Sequence, residues 1–276
     1  MLSKLQMTAL ENECYVLGAA AFGVFVRWLQ VTAGTDDDGL FNNTVWNYLV
    51  PLLIIVSYFI FVGMVSKFKK ARYFIDEEVS SALKNSGKLY KAIRIIIGSV
   101  VIAGGVLLFA TCETDRQVTL LRILAALGIL TGASFIWLSG EYNNPEPDLK
   151  LMCVSSSLPI VLFSVWLITT YKSNDINSVV WGYCMEILGS CFAIFAFYRI
   201  AGFSFGSFDF SKLLRSTMFG TYMLIIELAD SRNIGETVML VGFIMMLVYY
   251  DWIIITNFHT REAPMSYQPR DGFERL

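Results

Sequence analysis

Apolar runs of about twenty residues, parted by short polar connections, recur along the chain at 14–32, 45–65, 93–112, 118–139, 151–171, 179–199, 213–229 and 237–257. At 1.5 Å per residue each is long enough for a helix to cross a hydrocarbon layer about 30 Å thick. In that layer the backbone must satisfy its own polar groups, which helices do. The pattern predicts an all-α integral membrane protein with about eight transmembrane helices. The second to fifth runs hold at most one charge each. The seventh is the weakest, because Arg215 and Glu227 bracket its apolar centre. Both could reach toward opposite interfaces. If that run does not insert, the count falls to about seven and the C-terminus changes side. The first run resembles a secretory leader in its short stretch Cys14–Val26, but Glu11 and Glu13 against a single Lys4 make a poor leader start. It is read as the first membrane helix.

Composition agrees with the pattern. The chain is 55% hydrophobic and 16% charged over 276 residues, with a mean hydropathy of +0.57. Soluble domains carry about 25% charged residues. The net charge of -2 offers no basic patch for nucleic acid. Charge distribution says more. With the N-terminus inside, 16 of the 21 Lys and Arg residues fall on inner segments, and only Arg116, Lys172 and Arg232 on outer ones. Positive charge is retained on the cytoplasmic side, so this predicts an even number of crossings in a plasma membrane with both termini cytoplasmic. The longest connection, 66–92, is then cytoplasmic. It opens with Lys67, Lys69, Lys70 and Arg72, and continues with Asp76, Glu77, Glu78 and Gly87, the cap and stop signals of a short surface helix. This loop is the candidate docking site for a protein partner or anionic headgroups. Its basic cluster also fits a plain topology signal.

An ordered set of matches divides the chain. Phe25, Trp28, Leu29 and Thr32 correspond to Phe163, Trp166, Leu167 and Thr170; Val45-Trp46-Asn47-Tyr48 to Val180-Trp181-Gly182-Tyr183; Lys91-Ala92-Ile93-Arg94 to Lys212-Leu213-Leu214-Arg215. Two tandem four-helix units in parallel orientation, 1–149 and 150–257, would give this order. So would interfacial tryptophan and inner basic residues that recur by membrane chemistry alone. Residues 258–276, with Pro264, Pro269 and Gly272, read as a disordered cytoplasmic tail.

Ionisable groups within a bilayer are costly and default to functional candidates. Four fall in the outer halves of their runs: Arg27, Arg122, Glu186 and Glu227. Glu186 lies deepest. Its helical neighbours Gly182, Gly189, Ser190 and Ala193 form a small face that packs against protein. The four could neutralise one another as structural pairs. They could also line a pocket open to the outer face, with Glu186 as its acid and Arg122 and Arg27 as counter-charges. Asp251 is expected to pair with Lys212 or Arg215. Ser156 and its serine neighbours sit beside Pro159, where a proline frees a backbone carbonyl and can kink a helix at a cavity. Gly128 and Gly132 form a small-xxx-small contact of the kind found between helices.

Several chemistries lack their residues. The five cysteines form no CxxC, the single histidine is His259, no lysine lies mid-run, and no nucleotide-loop, zinc-protease or serine-hydrolase motif occurs. The chain is expected to be no enzyme and to need no metal or cofactor. Its expected partners are the lipid bilayer, a small-molecule or ion ligand in the outer pocket, and a protein at loop 66–92. The leading reading is transport or sensing through that pocket. The alternative is a non-transporting subunit or signalling partner that docks through the basic loop.

Overall fold

In a computed structural model of the chain, the described residues are 4–34, 45–70, 73–74, 83, 87–112, 117–144, 148–174, 182–205, 209–230, 232–257 and 259–260. Among them the chain forms eight helices: α1 (Lys4–Ala33), α2 (Val45–Lys70), α3 (Lys88–Thr111), α4 (Val118–Glu141), α5 (Leu149–Ser173), α6 (Cys184–Ser204), α7 (Phe210–Glu227) and α8 (Ile234–Thr256). Seven are long and apolar enough to cross a membrane, and α7 is the exception. The chain is an all-α integral membrane protein, as the spacing of apolar runs predicts. Helix starts follow local chemistry. Asp148, Asp209 and Asn233 accept backbone amides at the first turns of α5, α7 and α8.

Three helices start well away from the apolar runs that announce them: α6 begins at Cys184 rather than 179, α3 at Lys88 rather than 93, and α1 ten residues before its run. The early start of α1 has a clear cause. Ala9, Asn12, Glu13, Val16, Ala20, Gly23, Val26, Arg27 and Gln30 are all buried and fall three or four residues apart. They form one continuous stripe against protein. Hydropathy counts Asn12 and Glu13 as polar and stops, whereas the packing face runs on.

α8 is the axis of the bundle. It packs against α1, α3 and α7 along its length. Its Phe243 meets Phe163 of α5 at 4.9 Å and Phe197 of α6 at 5.8 Å, and its Tyr249 and Tyr250 each stack edge-on to Phe135 of α4 at 5.8 Å. Glycine makes the approach possible. A Cβ on Gly104 or Gly235 would overlap the backbone of Met239 or Leu108 across the α3–α8 contact. Gly128 lies against the Met239 sulfur, and Gly132 against the Gly98 carbonyl of α3. The small-xxx-small motif of α4 is therefore used within the chain. The outside of the bundle is apolar, with Phe22 and Phe25 of α1, Ile55 and Phe59 of α2, Val154 and Val161 of α5 and Phe195 of α6 exposed where lipid would lie.

α7 has 18 residues, about 27 Å of helix. It presents no exposed large apolar side chain. It lies inside α1, α2, α6 and α8. Its partners give its depth. Thr217 meets Asp251 near the end of α8, Tyr222 and Ile226 meet Gly23 halfway along α1, and Asp230, just past its end, meets Arg27. α7 thus runs alongside α1 through the same depth. Its polarity reflects a helix covered by protein.

The end of the bundle that carries the starts of α1, α3, α5 and α7 is here the basic face, and the opposite end the distal face. Two-residue strands after α2 and α8, β1 (Tyr73–Phe74) and β2 (His259–Thr260), pair antiparallel in register Tyr73–Thr260 and Phe74–His259. The chain therefore leaves α2 and α8 at the same end. Within the expected tail, residues 259–260 are in this pairing, and 261–276 lie outside the described residues. So do most of the expected surface helix over 76–87 and Arg72; of Lys67, Lys69 and Lys70, all in α2, only the Lys67 side chain is described, and it is exposed.

Packing crosses the division at 149/150, since α1 and α2 lie on α7, and α3 and α4 on α8 and α5. The matched aromatics Phe25–Trp28 and Phe163–Trp166 both stack, at 6.4 and 5.6 Å, the first pair facing outward and the second in the core.

Gly235→Ala should lower the thermal stability of the detergent-purified protein by about 1–3 kcal/mol, the usual cost of forcing extra atoms into a packed contact. Gly63→Ala, in open space on α2, should leave it unchanged or raise it by up to about 1 kcal/mol. Equal melting temperatures for both variants would contradict the close α3–α8 packing.

Candidate functional site

A cavity of about 330 Å³ opens at the distal face between α4, α5, α6 and the start of α8. Its wall is polar: the end of α5 supplies Thr169, Thr170, Ser173 and Asn174, the approach to α4 Gln117, and the turn into α8 Arg232, Asn233 and Glu236. Glu186 enters from the first turn of α6 and is half-buried. Its Oε1 accepts the Thr170 hydroxyl at 2.7 Å and the Trp166 indole N–H at 3.2 Å. These bonds fix the carboxylate. No described residue bonds its Oε2, and the residue lines the open cavity.

Behind Glu186 lies a set of ion pairs. Arg27 donates from Nε to Asp230 Oδ1 at 2.9 Å and from Nη1 to Gln30 Oε1 at 2.7 Å. Arg232 donates from Nη1 to Glu227 Oε1 at 2.7 Å and from Nη2 to the Glu227 carbonyl at 3.0 Å. All four side chains are nearly sealed from solvent. Glu227 lies against Gly189, where any side chain would overlap its carboxylate. The small face of α6 is thus the seat of a charged partner. In the connection after α7, burial pushes the Asp230 carboxyl above its ordinary value, and the Arg27 guanidinium opposes this only in part. Together the pairs and the cavity hold two guanidiniums, Arg27 and Arg232, against four carboxylates, Glu186, Glu227, Asp230 and Glu236. Among the described residues of the site, carboxylates outnumber guanidiniums.

Comparison with known protein families, with curated proteins and with solved structures returns no match. The geometry alone therefore carries the functional argument.

The structure brings three of the four leading candidates together and separates the fourth. Glu186, Glu227 and Arg27 share the distal cluster. Arg122 does not: it points out of the bundle, 5.6 Å over the Phe109 ring. The reason is helical phase, since Leu121, Leu124 and Ala125 take the buried face of α4. Glu227 does not snorkel to an interface but is fully buried on Arg232. Asp230, Arg232 and Gln30 were missed because connections and helix ends give no apolar pattern to flag them. Ser156 and Pro159 are buried in α5, and the Ser156 and Ser157 hydroxyls both bond the Cys153 carbonyl. Neither residue lines the distal cavity.

The expected pairing of Asp251 is not found. Asp251 meets the Thr217 hydroxyl. Lys212 turns back to Asp209 at 3.2 Å, and although partial burial works the other way, its amide and ammonium hold the Asp209 carboxyl below the usual range. Arg215 lines a second cavity of about 200 Å³ at the basic face with Arg199, Lys212 and Tyr58.

Arg27→Gln and Asp230→Asn should each destabilise the protein by about 3 kcal/mol or more, because each leaves a buried charge without its partner. The double variant should lose clearly less than the sum. Arg122→Gln should stay within about 0.5 kcal/mol of the parent. Additive losses in that cycle would contradict the buried pair.

Proposed function

We propose that the distal cavity binds a small cationic or zwitterionic solute and that the protein transports or senses it. The observation that carries this is the Glu186 carboxylate, oriented by Trp166 and Thr170, with one oxygen left to the cavity. A carboxylate held in this way costs little further entropy on binding and favours a positive partner. The surplus of carboxylates over guanidiniums acts in the same direction. The volume suits a ligand of metabolite size, at the small end of ordinary binding pockets. Arg232, on the same wall, would meet a carboxylate of a zwitterion while remaining tied to Glu227.

On this reading the distal face is extracytoplasmic. The support is the bias of lysine and arginine toward the basic face, which positive-inside placement assigns to the cytoplasm of a plasma membrane. Solute would enter from outside and reach Glu186 without passing an apolar barrier. Glu227, directly behind on α7, holds Arg232 of the cavity wall, and through that pair a bound solute would act on α7.

The test is a thermal-shift screen of the purified protein against small amines, amino acids and matched organic anions. At least one cationic or zwitterionic compound should raise the melting temperature by several degrees at saturation. Glu186→Gln should abolish that shift while the variant still elutes as folded protein. Stabilisation by anions alone, or an undiminished shift in the variant, would overturn the reading.

A further inference from the structure

A second polar cluster lies near the basic face, at the meeting of α1, α7 and α8, and it lacks what the distal cluster has. Glu13, Asp251 and Thr217 are buried there, with relative exposures of 5%, 0% and 0%. The two carboxyls are close enough to feel each other's charge. No lysine or arginine among the described residues supplies either with a compensating charge. Among the described residues of the neighbouring helices, Lys212 is paired with Asp209 and Arg94 bonds the Ser139 carbonyl, while Arg215 lines the groove with Arg199.

The oxygens are also open. Among the described residues, neither oxygen of Glu13 has a hydrogen-bond partner, and Asp251 Oδ2 has none. Asn12, itself only 3% exposed, sets its carboxamide beside the Glu13 carboxyl, yet neither its oxygen nor its nitrogen completes a hydrogen bond. Thr217 carries one hydroxyl proton and has the Leu213 and Leu214 carbonyls as well as Asp251 within reach. A second hydroxyl, Thr221, one turn on, is buried without a partner. Buried polar atoms are almost always satisfied, and unpaired buried charge is costly. The carboxyls are not bonded to each other, so a proton shared between them does not fill the gap. What fits is a positive occupant bound by oxygen.

We propose that Asn12, Glu13, Thr217 and Asp251 form a binding site for a small monovalent cation, Na⁺ in kind. Carboxylate, carboxamide and hydroxyl oxygens are the hard donors that such ions take, with no nitrogen or sulfur ligand required. The site joins α1, α7 and α8, the same helices that the distal ion pairs join some 20 Å away along α1, from Glu13 to Arg27. Occupancy would fix the register of α7 against both. The inference stands apart from the distal cavity and does not need a solute there.

The decisive experiment melts the purified protein at pH 8 in NaCl, KCl and choline chloride of equal ionic strength. Sodium should raise the melting temperature saturably, on the order of 5 °C at a hundredfold excess over its dissociation constant. The rise should shrink at pH 5, where protons compete for the carboxylates. It should vanish in Glu13→Gln and in Asp251→Asn. Should either variant fail to fold, Thr217→Val, which keeps shape and removes one donor oxygen, should weaken the sodium response at least tenfold in midpoint. Equal melting in all three salts would overturn the site, as would dependence on pH alone. A sodium response that survives intact in both carboxamide variants would place the ion elsewhere and overturn it too.

Discussion

A helix that carries hydroxyls and carboxylates can cross hydrocarbon only where other helices cover it. That constraint shapes this bundle around α7. Its face toward α8 holds Thr217 and Thr221, and its end holds Glu227, all fully buried. Covering it requires α1, α2 and α6 on its flanks and α8 at its back. Covering α8 in turn requires Gly104 of α3 and Gly235 of α8, which let the two backbones approach to contact. The lipid-facing work falls to the outer faces of the helices around α7, which expose the large apolar side chains.

The same constraint explains how charge is placed. At the distal face every buried guanidinium meets a carboxylate, in Arg27–Asp230 and Arg232–Glu227. Glu186 and Glu236, the acids outside these two pairs, both line the open cavity. At the basic face no lysine or arginine among the described residues pairs with the two buried acids, Glu13 and Asp251. Carboxylates thus lie close to both ends of α7, in one place at an open cavity and in the other sealed. A solute at one and an ion at the other would both act on α7, which gives the two proposed sites a shared element and a physical route of coupling.

Much of the architecture is legible in the sequence because lipid imposes a length. Eight runs of about twenty apolar residues map onto eight helices, and the weak seventh run marks the helix that is least apolar. Glu186 is legible for a related reason: an acid on one helical face with Gly189, Ser190 and Ala193 must face protein. What the pattern could not supply is helical phase and partnership. Arg122 and Arg27 look alike in composition, yet one lies over Phe109 outside the bundle and the other is sealed on Asp230. Asp230 and Arg232 lie in a connection, where hydropathy carries no signal. Glu13 was visible only as a flaw in a leader peptide, because the stripe that buries it has helical spacing but not apolar composition.

The account rests on α7 crossing the bundle from basic to distal face despite its polarity. Sidedness of its two flanking connections in sealed vesicles tests this most directly, with a short epitope inserted after Ser207 in one version and after Ser231 in another. The account predicts that a membrane-impermeant antibody reaches one epitope only in inverted vesicles and the other only in right-side-out vesicles. Labelling of both from the same side would contradict it.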